Sequence, residues 1–233
     1  MPATTPSTNP ARQRLGARLI TPLVALSVAA PLLVLVAVLL VRLGVVDLAV
    51  GYDLLTWRAA RILAWIGLAA ALIAAAVALT SRTRVLLAAA ALCIAGATVG
   101  AFGFQADRFD RDWPRDVSTN TDEAPGFSAL AAFHRDEAAS TDAASCSTAE
   151  AIPSQLAAQT AGGALVDAGF PVVRAAAFQV EGVHEAAWFG RAFDAVIRIR
   201  PGRTDIRVAA RGDRPDGGAT CRLAAKIAAN LRP

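Results

Sequence analysis

The sequence predicts three membrane-spanning helices followed by a C-terminal α+β domain, an antiparallel sheet of about four strands with two helices on one face. Three observations predict this. The composition, 55% hydrophobic and 18% charged over 233 residues, is too apolar for an ordinary soluble protein. Charged residues are absent between Arg18 and Arg42, between Arg61 and Arg82, and between Arg84 and Asp107. From Asp107 onward the chain turns polar, and from Ile152 it carries short apolar runs separated by turn residues.

Each uncharged gap is about 20 residues or slightly more, which at about 1.5 Å per residue crosses a hydrocarbon layer of roughly 30 Å. The spans are placed at about 19–41, 62–81 and 85–106, behind a cytoplasmic arm, 1–18. The first gap exceeds the ~7–15 apolar residues of a secretory signal and lacks a cleavage site with a polar start behind it. Pro22 and Pro31 are expected to kink the first helix, which a bilayer helix tolerates when neighbours satisfy the freed carbonyls. Gly96 and Gly100 stand four apart, a small-residue face for close helix approach. Packing within the bundle is its expected use, with a homo-oligomer as the alternative. Cys93 in the same helix needs no chemistry.

Arg12, Arg14 and Arg18, and the pair Arg82 and Arg84, put the arm and the second connection on the cytoplasmic side under the positive-inside rule. Three arginines at Arg42, Arg58 and Arg61 oppose that contrast. With three spans the C-terminal domain lies on the extracytoplasmic side, which in a bacterium places the chain in the inner (cytoplasmic) membrane as a multi-pass protein with a periplasmic domain.

Residues 107–150 read as an irregular tether, rich in Asp, Thr, Asn and Pro, with Phe109, Trp113 and Phe127 able to dock onto a domain. Asp136 to Ser147 forms a second polar loop. The domain proper is expected over 151–233. A helix is expected from Gln155 to Asp167 behind Pro153, stopped by Gly169. Two strands follow between Pro171 and Trp188, broken near Gln179 to Gly182. A hairpin joins Ala195–Arg200 to Asp205–Ala210 through Pro201-Gly202-Arg203. A last helix from Ala219 repeats Leu223, Ile227 and Leu231 on one stripe.

Several short motifs lie along this domain: Asp116-Val117-Ser118-Thr119, Pro125-Gly126-Phe127, Trp188-Phe189-Gly190, Asp194, Ile197-Arg198-Ile199-Arg200-Pro201, Asp205-Ile206-Arg207, Arg211, Asp216 and Gly218. In order and spacing they resemble the bacterial membrane-associated family known as domain of unknown function 1499, from about Trp113 to the C-terminus. The chain departs from the family's pattern at Phe193-Asp194, where two acids are usual, at Val208-Ala209-Ala210, where Ser is usual, and near Thr220, where an Asn is usual. The resemblance implies fold and membrane association rather than a reaction.

On a strand, alternate residues share a face, so Asp194, Arg198 and Arg200 point one way and Ala195, Ile197 and Ile199 the other. Hairpin pairing adds Arg207 and Arg211 to the arginine side. Asp194, Arg198, Arg200, Arg207 and Arg211 are therefore the candidate ligand-binding residues, on a guanidinium-lined face expected to look outward. Such a face grips carboxylate or phosphate through forked hydrogen bonds, so the partners to weigh beyond the lipid bilayer are an anionic lipid, an envelope polymer or an acidic protein. The plain alternative is the wet side of a one-sided sheet in a chain with 22 Arg and one Lys. Asp107 to Glu185 carries 5 basic and 13 acidic residues, and Ala186 to the end 10 basic and 4 acidic, so the two parts can also neutralise each other.

No catalytic residue, metal site or cofactor site is assigned. His134 and His184 have no Cys or carboxylate at metal-ligand spacing, and phosphate-loop, Rossmann and nucleophile-elbow patterns are missing. A nucleic-acid role is disfavoured, since the basic part lacks interleaved aromatics. The function expected is an extracytoplasmic binding or scaffolding domain on a membrane anchor. Its rival is an envelope enzyme acting on an anionic substrate with Asp194 as acid or base. Cys146 and Cys221, the only cysteines outside the spans, are expected to pair in an oxidising compartment.

Overall fold

The computed structural model describes residues 10–79, 82–134, 141–146 and 149–232. The start of the N-terminal arm, the Thr80-Ser81 part of the second connection and half of the expected Asp136–Ser147 loop, 136–140 and 147, lie outside the described residues. The chain divides into two compact units, Met1–Ala106 and Asp107–Pro233.

In the first unit, α1 (Pro10–Arg42) runs unbroken through Pro22 and Pro31. A π-helical stretch, Ala49–Ala60, leads directly into α2 (Arg61–Ala78), and α3 spans Arg82–Phe109. Among the described residues, three segments are long and apolar enough to cross a membrane: Ile20–Arg42, Ala49–Ala78 and Arg84–Phe109, with mean hydropathy 2.9, 2.1 and 2.3. The second begins well before the expected residue 62. At 30 residues it exceeds the ~20 that a crossing needs, so Asp53 and Arg58 need not sit at mid-depth. The sequence hid this extension because its charges read as a connection.

Packing in this unit rests on small residues. A Cβ on Gly67 would lie 3.1 Å from the Leu26 carbonyl oxygen and 3.2 Å from Ser27 Cα, so glycine there lets α2 approach α1. Ala71 packs with Ala91 and Ala95, and Ala74 and Ala78 with Ala88 and Ile20. The expected use of Gly96 and Gly100 in the bundle is not what is found. Neither has an atom within 4 Å of its Cβ position, and the alanine face of α3 makes those contacts instead.

The second unit holds a sheet of six strands, not four: β1 (Asp116–Ser118), β2 (Thr141–Asp142), β3 (Val172–Ala176), β4 (Gln179–Glu185), β5 (Ala192–Arg200) and β6 (Arg203–Ala210), in spatial order β2-β1-β6-β5-β4-β3. The sheet is mixed, because β1 and β2 run parallel while every other pair is antiparallel. The two extra strands come from the segment expected to be an irregular tether. They are three and two residues long, and β1 exists only because Val117 pairs with Val208 of β6.

The expected break at Gln179 to Gly182 falls earlier, at Ala177-Phe178, leaving β4 whole. Gly202, at φ 72°, makes the tight β5–β6 turn in the left-handed region that glycine enters without penalty. The helix α4 occupies Ala158–Ala168, so Pro153 lies in its lead-in rather than at its first position, and Gly169 ends it at φ 91°. The last helix, α5, occupies Ala219–Leu231.

Alternation along the strands separates two faces. Val180, Phe193, Ala195, Ile197, Ile199, Ile206, Val208 and Ala210 turn to α4 and α5, where Leu165, Phe170, Ala224, Ile227 and Leu231 complete one buried core. Cys146 and Cys221 are bonded, Cα to Cα 5.1 Å, tying the short helical turn Ala143–Cys146 to the first turn of α5.

Candidate functional site

The other face carries the charge. Its cross-strand rows are Gln179, Arg198 and Asp205; Glu181, Val196, Arg207 and Ser118; and Val183, Asp194, Ala209 and Asp116. The five candidate residues do share this face, but it does not look outward. A strap, residues 119–134, lies across it, and beneath the strap Glu181, Asp194 and Asp205 have no exposed surface.

The strap is held by each row in turn. Glu181 accepts hydrogen bonds from the amides of Ser128 (2.9 Å), Ala129 (3.0 Å) and Leu130 (3.2 Å), from the Ser128 hydroxyl and from Gln179 Nε2 (2.8 Å). Burial pushes this carboxyl up, but the bonds from the Ser128 hydroxyl and amide, the Leu130 amide and Gln179 together hold it below the usual carboxylate range.

Asp205 receives Arg198 Nη2 (3.1 Å), Arg200 Nη2 (2.7 Å) and Arg203 Nε (2.6 Å). Burial raises its pKa, and the hydrogen bonds of Arg203 and Arg198 with the charges of Arg203 and Arg200 outweigh that and lower it. The Arg200 guanidinium moves the other way: burial lowers it, but Asp205 and Glu123 together raise it. Above this group the strap supplies Glu123, whose carboxylate lies 2.6 Å from Arg200 Nη1. It also supplies the Thr119 carbonyl, which accepts from Arg203.

Arg207 forks onto Asp116 (Nε to Oδ1 2.9 Å), donates to the Pro125 carbonyl and places its guanidinium 4.9 Å from the Phe127 ring centroid. Asp194 takes Arg211 through both oxygens (2.8 Å each), and its Oδ2 lies 2.8 Å from His134 Nε2. The His134 ring stacks on Phe127 at 4.2 Å, and Arg211 sits 3.6 Å over Phe133. The candidates therefore fall into three ion-pair groups rather than one cluster. Asp194 is not beside Arg198, Arg200 or Arg207; its partners are Arg211 and His134.

Sequence reasoning did not find Asp205, Asp116, Glu181, Glu123, Arg203 or His134 as members of this network. Asp205 was detectable, since it shares a face with Arg207 by alternation. Asp116 and His134 reach partners 91 and 60 residues away, which spacing cannot show. His184 is a separate case: its Nδ1 lies 2.8 Å from the Gly169 carbonyl and its ring stands beside Phe170 and Phe193. Arg191 also stands apart, donating to the Arg214 and Pro215 carbonyls. Among the described residues, no three His, Cys, Asp or Glu side chains gather in a way that would hold a metal.

Chemically, the face is a set of charge-assisted hydrogen bonds in which each buried carboxylate already meets several donors. Such an arrangement fixes a segment in place; a general acid needs a carboxyl able to change protonation near neutral pH, which the lowered Glu181 and Asp205 are not. Comparison with protein-family models, with curated proteins and with solved structures finds no match.

Proposed function

We propose that this chain is a binding or scaffolding module of the bacterial cell envelope, held in the inner membrane by its three apolar helices, with the disulfide-bonded domain on the extracytoplasmic side. The partners that fit are an acidic protein, an anionic envelope polymer or an anionic lipid. The motif resemblance to domain of unknown function 1499 belongs to the same proposal.

The observation that carries the reading is that the strap closes the polar face over Asp194 and leaves Glu123, on Arg198 and Arg200, exposed. Asp194, the one acid or base available to an enzymatic alternative, is fully buried with both oxygens engaged by Arg211 and His134. Beneath the strap it presents no surface to a substrate. Clamping, by contrast, uses Glu181, Asp194 and Asp205 with the donors they already hold.

The test is a topology assay on the full chain. A reporter active only outside the cytoplasm, fused after Pro233, is expected to be active, and the same reporter inserted between residues 81 and 84 is expected to be silent. The reverse pattern would overturn the extracytoplasmic assignment. Turnover of an envelope ester or phosphoester by the full chain, abolished by Asp194→Asn with the thermal midpoint retained, would overturn the non-enzymatic reading.

A further inference from the structure

We infer that Arg198 and Arg200 form a binding site for an acidic residue of a partner peptide, and that the chain's own Glu123 holds that site in the structure. The inference rests on the binding-module reading above and names where the partner docks.

Four carboxylates hold the arginines of the polar face, and they are not alike. Asp194 and Asp205 are fully buried and Asp116 is 13% exposed, whereas Glu123 is 68% exposed. Glu123 is a lid residue, not a foundation. One of its oxygens meets Arg200 Nη1 at 2.6 Å and the other lies 3.5 Å from Arg198 Nη1, while Arg198 Nη2 donates to the backbone carbonyl of the same residue. Two guanidinium groups thus read a side-chain carboxylate and its own main-chain carbonyl together. That pair of acceptors defines an acidic residue within a peptide rather than an isolated anion.

The site stays formed when Glu123 leaves. Asp205 holds Arg198 and Arg200 from beneath at 3.1 and 2.7 Å, so both forks are oriented before any ligand arrives. Three arginines, Arg198, Arg200 and Arg203, then share the single charge of Asp205, which favours an incoming carboxylate. The turn bearing Glu123 is exposed at residues 121–123, and the firm strap contacts lie on either side of it, at Thr119 with Ile206 and Arg203, and at Pro125 with Arg207. An ion pair as exposed as this one is weakened by solvent, so a partner's carboxylate can exchange with Glu123. The site lies at the β5–β6 hairpin, the end of the sheet opposite Asp116 where the chain enters it.

The probe is a fluorescent peptide with the chain's own sequence from Thr119 to Gly126, added to the full chain in nanodiscs and followed by anisotropy. Removing the competing carboxylate with Glu123→Ala, which leaves only the main-chain carbonyl on Arg198, is expected to tighten peptide binding about tenfold relative to the unchanged chain, as freeing a carboxylate site occupied nine-tenths of the time would. Glu123→Gln, which keeps the side-chain size, should act in the same direction. Adding Arg200→Ala to either variant is expected to abolish binding, and the peptide carrying the Glu123→Gln change should not bind.

Equal binding to the unchanged chain and to Glu123→Ala, or binding to neither, would overturn the inference. Inorganic phosphate displacing the peptide at equal concentration would overturn the peptide assignment in favour of a general oxyanion site. None of these outcomes alters the topology result, so failure here is separable from failure of the binding-module reading.

Discussion

Glu181 is the residue on which the strap depends most, because one carboxylate receives three consecutive amides and a hydroxyl from it. Replacing it by Gln turns one acceptor oxygen into a donor that faces those donors. Glu181→Gln is expected to cost about 1–3 kcal/mol, the penalty for buried donors left without acceptors, read as a lower urea midpoint. An unchanged midpoint would mean the strap is held elsewhere. Asp194→Ala removes the shared acceptor of Arg211 and His134 and is expected to cost about 3 kcal/mol, as breaking a buried pair does.

The pH dependence follows from the same residues. The folded-state pKa values of Glu181 and Asp205 lie below their ordinary 4.5 and 3.8. The unfolded chain therefore binds more protons as pH falls, and stability drops with it. Their contribution is complete above the unfolded values and is lost as pH falls through the folded ones. Below about pH 5 the thermal midpoint should fall with pH, and the fall should be shallower in Glu181→Gln. Identical slopes in the two proteins would contradict the role given to Glu181.

At the scale of elements, β4 and α3 show where a single methyl group does and does not decide packing. A Cβ on Gly182 would lie 3.0 Å from Phe170 Cβ and 3.1 Å from the Pro171 carbonyl oxygen. Gly182→Ala is therefore expected to destabilise the domain by about 1–3 kcal/mol through overpacking. Gly96→Ala in α3, where nothing lies within 4 Å, carries no overpacking cost and should not lower the thermal midpoint. The start of α5 is set by Asp216, which accepts from the Gly218 amide and the Thr220 amide at 2.7 Å each.

Elements with their own periodicity were legible in the sequence. The three apolar helices follow from the charge gaps, and β5, β6 and α5 from alternation and a four-residue repeat. The strands β1 and β2 were not legible, because three residues such as Asp116-Val117-Ser118 have no pattern, and their conformation is dictated by β6, some ninety residues on. For the same reason the arginine face could be drawn from alternation, but not the strap that covers it. Glu181 and His134 acquire meaning only once residues 119–134 are laid over the sheet.

At the scale of the whole molecule, the charge asymmetry along the second unit is resolved within it. The acidic part from Asp107 to Glu185 supplies Asp116 and Glu123, and the basic part after it supplies the arginines they meet. The disulfide closes the same unit. Joining residues 75 apart stabilises the fold by about 4 kcal/mol in the chain-entropy account, so a reductant should lower the thermal midpoint of the full chain without unfolding the apolar helices.

The disulfide also offers the most direct test of the proposal that the domain folds in an oxidising, extracytoplasmic compartment. The chain has three cysteines, and Cys93 in α3 is the free one among them. Protein quenched with acid in intact cells, denatured and alkylated without reductant should take up one label by mass, and three after reduction. Three labels without reductant would show Cys146 and Cys221 as thiols in the cell and would contradict the account.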